Sequence, residues 1–480
     1  MSYKNENCTD EMTFEECELA ILRHAVDETD KIQQEKIANS ETIKNMITIV
    51  EAFLKEKKSV CYGGTAINNI LPKDAQFYNR EIEIPDYDFF SPNALSDAKE
   101  LANRFFAAGY KDVEAKAGVH VGTYKVFVNF IPMADLTEMH PALFRAISKE
   151  SILIDGIHYC PPNYLRMNMF IELSRPAGDV SRWEKVLKRL TLLNQYYPLE
   201  TPMNCNTVDF QRKMNTHLED SEKIYVTMRD AFILNEVVFF GGYASGLYSK
   251  YMPIEQRRLL KSVPDFDVLH EDPMLCAEYV KSQLSNLHLS YNVKLIKRSG
   301  MGEIIPEHVE IKVGRDTIAF IYKPIACHNY NKIIVDKREI RVATIDTMLS
   351  FYLAFLYSDS PYYFKDRILC MAKFLFDVEQ KNRLEQNGLL KRFSIDCYGK
   401  QPTLETMRAE KAEMFNVLAN KKGTEEYERW FLKYSPSTNR KTKHLKKKHG
   451  TTNFTTRLWN KKNVSKRGWN KTRKSRGYFL

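Results

Sequence analysis

The chain has 480 residues, 44% of them hydrophobic and 12% aromatic, which is enough to bury more than one core and excludes a fibrous or wholly disordered polymer. Its nine cysteines, Cys8, Cys17, Cys61, Cys160, Cys205, Cys276, Cys327, Cys370 and Cys397, are scattered, with no CxxC pair and no Cys/His cluster at zinc spacing, so reduced thiols and no structural zinc are expected. The formal charge of +10 is unevenly spread: Pro436 to Leu480 hold 15 Lys/Arg and no acid, leaving 56 basic against 61 acidic residues before them.

In chain order, the polar, acidic start (MSYKNENCTDEMTFEE) is unlike a secretory signal, and residues 1–39 are expected to form a helical, polar segment. Apolar residues at Ile43, Met46, Ile47, Val50, Phe53 and Leu54 have helical spacing, with Ser40 and Glu41 at the start. Ser59 to Tyr62 reads as a buried strand. Ile82 to Phe90 and Tyr124 to Ile131 read as further strands, with a helix from about Ser96 to Ala107 stopped by Gly109. Helices are expected over Asn163 to Leu193 and Thr344 to Phe376. In the first, Lys185, Lys188 and Arg189 are most simply a solvated basic face. The longest apolar stretch, near Met348 to Tyr357, is too short to cross a bilayer, so a soluble chain with no membrane partner is expected.

The sequence repeats itself at about 180 residues. SVCYGGTAINNIL followed by IPDYDFFS returns as VVFFGGYASGLYSKY followed by VPDFDVLH. VGTYKVFVNFIPMAD can be laid over VGRDTIAFIYKPIAC without a gap, which sets Val121 on Val313, Gly122 on Gly314, Pro132 on Pro324, Ala134 on Ala326 and Asp135 on Cys327. The expected fold class is α+β (mixed α/β): two tandem units, each a small mixed sheet followed by packed helices. The boundaries expected are 1–39, 40–200 for the first unit, 201–400 for the second, 401–435 for a helical segment and 436–480 for a basic tail.

The chemistry is concentrated in the first unit. Residues two apart in a strand share a face, so Asp86 and Asp88 present two carboxylates together while Tyr87 turns into the core. Acids so placed repel unless a cation lies between them. Gly63 and Gly64 end a strand and begin a helix, where backbone can approach a triphosphate and the helix N-terminus favours negative charge; Thr65 adds a hydroxyl. Asp135 is the best third carboxylate, with Asn129 as a poorer alternative for a hard cation.

The double glycine, the Asp-x-Asp pair and a third Asp resemble the DNA polymerase β-like nucleotidyltransferases. More closely, CYGGTAINNIL, PDYDFFS, GTYKVFVNFIPMADLT and YLRMNMFIELSRP resemble the poly(A) polymerase catalytic subunits of large nucleocytoplasmic DNA viruses, over roughly Ile43 to Phe376. The resemblance implies a nucleotidyltransferase fold adding adenylates from ATP to an mRNA 3′ hydroxyl without a template, with two Mg²⁺ or Mn²⁺ ions. It implies catalytic and metal-binding roles for Asp86, Asp88 and Asp135, a nucleotide-binding role for Gly63, Gly64 and Thr65, a homodimer, and a place in the host cytoplasm and in virions. A uridylyl or CCA-adding transferase, or a catalytically dead RNA-binding scaffold, are the alternatives. The 22-position gap between Gly64 and Asp86 is long for the superfamily, and its insert, Lys73 to Glu83, either closes over nucleotide or RNA or decorates the surface. The second unit, with Cys327 where the third acid is expected, reads as non-catalytic. In the tail, Lys446, Lys447, Lys448, Trp459, Arg467 and Trp469 suit single-stranded RNA by charge and stacking; composition leaves a solubilising or targeting tail equally open.

Overall fold

The computed structural model describes residues 6–9, 11–38, 40–79, 84–201, 204–205, 208–210, 218–252, 257, 264–289, 291–358 and 360–437. The tail residues singled out above, Lys446 to Trp469, lie outside the described residues. No described helix is long and apolar enough to cross a membrane.

A long helix, α1 (Phe14–Ala38), precedes α2 (Glu41–Lys57), which buries Ile43, Met46, Val50, Phe53 and Leu54 as their spacing requires. The first sheet comprises β1 (Val60–Cys61), β2 (Tyr87–Ser91), β3 (Val113–Ala117), β4 (Thr123–Val128), β5 (Ile131–Glu138), β6 (Ile152–Ile154) and β7 (Ile157–Tyr159), in the order β3-β4-β5-β2-β1-β7-β6. α3 (Gly63–Ile70), α4 (Ala94–Ala107) and α5 (Pro141–Glu150) connect these strands, and α6 (Pro162–Leu173) and α7 (Trp183–Tyr196) follow. Gly109, at φ +102°, closes α4 in the left-handed region that favours glycine.

The run Tyr124 to Ile131 is not one strand. It bends back on itself at Asn129 and Phe130, both at positive φ (50° and 67°), which makes a tight hairpin between β4 and β5. The turn is hidden in the sequence because its second residue is a phenylalanine, 87% exposed, inside an otherwise apolar run.

The second half opens with α8 (Leu218–Leu234) and repeats the plan: β8 (Val238–Phe240), α9 (Gly241–Leu247), β9 (Phe266–Leu269), α10 (Pro273–Ser285), β10 (Val293–Arg298), β11 (His308–Val313), β12 (Asp316–Tyr322), β13 (His328–Val335) and β14 (Arg338–Ala343). Its strand order, β10-β11-β12-β9-β8-β14-β13, matches that of the first sheet strand for strand. So do its directions: β8 with β9 is antiparallel, β9 with β12 parallel, β8 with β14 parallel. β15 (Cys397–Tyr398) adds an edge strand to β13. After α13 (Leu404–Val417) and α14 (Glu425–Phe431), β16 (Lys433–Tyr434) returns to the free edge of β3 in the first sheet. That return covers an edge otherwise open to pairing.

Two helices at the rear of the second unit, α11 (Ile345–Phe355) and α12 (Lys365–Lys381), belong to the core. Every residue of α11 is buried, and it packs on both α6 and α12. Burying each of its large apolar side chains is worth about 1.5–3 kcal/mol. Its one carboxylate, Asp346, is fully buried and receives both Nε and Nη2 of Arg392, while Arg392 Nη1 lies 3.2 Å from Glu379. Burial pushes Glu379 up to about 8 against the pull of Arg392, so Asp346 is the firmer counter-charge.

The expectation of reduced thiols fails. Cys8 and Cys17, Cys205 and Cys370, and Cys327 and Cys397 are disulfide-bonded, with Cα–Cα distances of 5.1, 5.5 and 5.1 Å, while Cys61, Cys160 and Cys276 are buried and free. Separations of up to 165 residues explain why spacing did not reveal the pairs.

Candidate active site

At the N-terminus of α3, Gly63 adopts φ +73°, and a Cβ placed on it would stand 2.8 Å from Asp88 Oδ2. A Cβ on Gly64 would stand 2.6 Å from the Tyr78 hydroxyl and 2.9 Å from Arg189 Nη1. Gly63 is required by its positive φ, and a side chain at either glycine would push Asp88, Tyr78 or Arg189 away from the helix start, where free N–H groups and the helix dipole favour an anion. Thr65 is turned away from this surface: its buried hydroxyl donates to the Asp86 carbonyl at 2.7 Å and ties the turn to the carboxylate strand.

Asp86 just precedes β2 and is exposed, Tyr87 is fully buried with its hydroxyl donating to Glu51 at 2.6 Å, and Asp88 is half-buried. The alternation expected of the Asp-x-Asp pair is what forms. β2 pairs in parallel with β5 so that Asp88 stands opposite Asp135, and β5 pairs with β4 so that Asp135 stands opposite Lys125. Lys125, Asp135 and Asp88 thus form one row across three strands, and the Lys125 ammonium donates to Asp135 Oδ2. Asn129, the alternative third ligand, sits in the hairpin turn instead.

Burial, then the charges of Asp86 and Asp135, push Asp88 up to about 7, with Lys125 and Arg182 pulling the other way. Asp135 is raised by burial, opposed by its bond to Lys125. Three hard oxygen donors that resist sharing negative charge suit a divalent cation. Among the described residues no three His, Cys, Asp or Glu side chains are gathered tightly enough to hold an ion unaided, and at Asp135 it is Lys125 that supplies the positive charge. The Tyr62 hydroxyl meets Thr137 Oγ1 at 2.9 Å and its ring stacks on Phe90 at 3.9 Å, so this half-buried aromatic packs against the core.

Sequence reasoning missed Arg189. Lys188 is indeed a solvated residue paired with Glu184, but Arg189 turns inward, donates to the Tyr78 hydroxyl at 2.5 Å, and lies 5.1 and 5.5 Å from the Phe77 and Tyr78 ring centroids. The helical period placed these cations on one face, yet one step of 100° separates a solvated residue from one reaching the glycine turn. Phe77 and Tyr78 belong to the insert. Asn68 Oδ1 accepts from both of their amides at 2.8 Å, so the described part of the insert, residues 73–79, is fastened over the turn; 80–83 lie outside the described residues.

The second unit differs at the same places. Asp267 pairs with Phe320, not with Cys327, which lies beyond β12 and is bonded to Cys397. The gapless overlay misplaced the third position by seven residues, because Gly314 lies in the β11–β12 turn whereas Gly122 precedes β4. A fully buried phenylalanine thus stands where the first unit has Asp135. Asp265 and Asp267 are 4% and 6% exposed and close on the turn: Asp265 Oδ1 is 2.6 Å from a Cβ placed on Gly242, Asp267 Oδ2 only 2.1 Å from one on Gly241. The turn is occupied by its own carboxylates.

Residues 48–179 match the family model described as poly(A) polymerase catalytic subunit. A protein of African swine fever virus (strain Badajoz 1971 Vero-adapted) grouped under that name is 34% identical over 174 residues, 35% of this chain and 36% of the relative. One from Acanthamoeba polyphaga mimivirus is 33% identical over 185 residues, 36% of this chain and 31% of the relative. The chain therefore spans about a third of the length of the curated relatives it matches. The crystal structure of the Megavirus polyadenylate synthase superposes with a TM-score of 0.73 at 18% identity, over 93% of this chain and 92% of that one. By sequence, residues 48–179 are similar to the poly(A) polymerase catalytic subunit domain, and by fold nearly the whole chain shares the α+β architecture of a viral polyadenylate synthase.

Proposed function

We propose that the protein is a template-independent poly(A) polymerase that adds AMP from ATP to the 3′ hydroxyl of viral mRNA. The observation that carries this reading is the register that brings Asp88 beside Asp135, with Asp86 two residues away, directly under the glycine turn of α3. Asp86, Asp88 and Asp135 would hold two divalent ions, Mg²⁺ or Mn²⁺, whose chemistry is to activate the attacking hydroxyl and neutralise the leaving pyrophosphate. Gly63 and Gly64 leave the backbone open to the nucleotide's phosphates, Thr65 fixes the turn against the carboxylate strand, and Arg189 supplies a fork of donors on the same side.

The second unit, its turn filled and its third acid replaced by Phe320, is a non-catalytic support in this scheme. The division into 1–39, 40–200, 201–400, 401–435 and a basic tail 436–480 goes with it, the tail's Lys446 to Lys448, Trp459, Arg467 and Trp469 holding RNA. Assembly as a homodimer, action in the host cytoplasm and packaging in virions complete the proposal; the viral organisms of the relatives support the host-cytoplasm setting alone.

The test is extension of a short RNA by the full chain with each of the four NTPs and either metal, beside Asp86→Ala and Arg189→Ala. ATP alone should give long products, lost with Asp86→Ala and made only at raised ATP concentration with Arg189→Ala. Incorporation of UTP or CTP in preference would move the protein to another terminal transferase. RNA binding with no incorporation of any nucleotide would make it a scaffold.

A further inference from the structure

The row Lys125–Asp135–Asp88 contains a cation of the protein's own. Directly opposed residues of paired strands hold their Cβ atoms about 5 Å apart, so Lys125 is built into the carboxylate cluster by register and has no need of a chance rotamer. On β4, burial alternates so that Thr123, Lys125 and Phe127 share the less buried face, and Thr123 Oγ1 meets Thr137 Oγ1 at 3.1 Å across the same pair of strands. This fixes the face on which Lys125 must lie. Its side chain remains 43% exposed, against 16% for Asp135, so the ammonium can leave toward solvent while the carboxylate cannot.

We propose that Lys125 is an exchangeable counter-cation: it occupies Asp135 until a divalent ion displaces it, which weakens metal binding when no nucleotide is present. The inference rests on the metal-binding reading of the three carboxylates given above. It follows from charge and place. With Asp86, Asp88 and Asp135 together on one surface, the cluster without Lys125 would carry three acids and no ammonium bonded among them. With Lys125 in place the third carboxylate is bonded before any metal arrives. A lysine suits such exchange better than an arginine, being a compact ammonium on a flexible stem, not a planar fork. Once displaced it stays on the face that bears the acids, where its charge is available to a phosphate.

The experiment measures Mn²⁺ binding to the full chain by the loss of the free-ion electron paramagnetic resonance signal, with neither ATP nor RNA present. Lys125→Met should bind Mn²⁺ about tenfold more tightly than wild type, because no ammonium then competes with the ion for the Asp135 carboxylate. Lys125→Arg should bind Mn²⁺ no more tightly than wild type, since it keeps the charge and its fork is harder to displace from a carboxylate. Asp135→Asn should remove the gain, so that Asp135→Asn with Lys125→Met binds no more tightly than Asp135→Asn alone. Equal or weaker Mn²⁺ binding by Lys125→Met, with Asp86→Ala abolishing binding, overturns the role of Lys125 and leaves the metal site standing. Binding that survives Asp86→Ala unchanged overturns both.

Discussion

Gly63→Ala isolates what the glycine turn is for. Alanine at φ +73° costs about 1–2 kcal/mol on its own, because its Cβ crowds the following carbonyl. The added methyl would also lie 2.8 Å from Asp88 Oδ2, where ordinary contact begins at 3.4 Å, so that carboxylate must retreat by about 0.6 Å. Displacements near 1 Å at a reacting centre cost on the order of 100-fold in rate, so a fall of roughly 10- to 100-fold in AMP incorporation is expected. Gly109→Ala is the matched control: φ there is +102°, no less strained, yet a Cβ meets nothing within 4 Å. Urea unfolding should show comparable losses for the two variants, while primer extension should separate them, with Gly109→Ala within about twofold of wild type. If Gly63→Ala extends RNA within about threefold of Gly109→Ala, the turn does not exist to admit the Asp88 carboxylate, and the reasoning that binds glycine, carboxylate and catalysis fails.

The same geometry makes three other claims. Asp346→Ala strands the Arg392 guanidinium in the core and should cost about 3–5 kcal/mol in urea unfolding, much of it recovered when Arg392 is also replaced by Met. His328 is fully buried, with no hydrogen-bond partner among the described residues at either ring nitrogen, and burial, aided by Arg175, lowers it to about 3. Because the unfolded chain takes up that proton near pH 6.5 and the folded one does not until about pH 3, stability conferred by neutral His328 is present above pH 6.5 and lost as pH falls toward 3, at about 1.4 kcal/mol per unit. Urea midpoints measured between pH 6 and pH 4 should fall less steeply for His328→Phe by that amount, and identical slopes would refute it. Finally, Asp265→Asn with Asp267→Asn should leave AMP incorporation within about threefold of wild type, whereas Asp86→Asn should lower it at least about 100-fold; equal losses would make the second unit a working site.

What the sequence made legible was whatever depends on local period. The alternation in PDYDFF places two carboxylates out and a tyrosine in whatever lies around it, and a double glycine between a strand and a helix is a backbone requirement visible without a fold. The duplication was legible in outline for the same reason, since each copy repeats those local signals. What escaped depends on turns and on distant partners. Asn129 and Phe130 form a hairpin inside an apolar run, and without that turn the only available comparison of the two units was a gapless one, which set Cys327 against Asp135. Strand pairing sets Phe320 there. The spacing contributes: β3 and β4 are joined across residues 118–122, whereas β10 and β11 are joined across 299–307, so the later copy has lengthened before its fourth strand, and the glycine matched to Gly122 lies after that strand instead of before it.

The corrected register strengthens the asymmetry it was meant to explain. A cysteine opposite Asp267 would have been a poor ligand that a single substitution could restore; a phenylalanine buried among the rings of His308, Tyr322 and Tyr362 is part of the packing of the sheet. Restoring a carboxylate there would add a buried acid between two others, because the residue of β11 opposite Phe320 is Glu310, where the first unit has Lys125. Glu310 is itself buried and already engaged by Arg298 and Thr317, so that cation is committed before a new carboxylate could claim it. The first sheet keeps a lysine and two aspartates in a row beside the glycine turn, and the second sets a phenyl ring between two acids that have found other neighbours. One topology therefore supplies both a site that must stay hydrated enough to exchange cations and a core that must exclude them, and the residues at three register positions decide which.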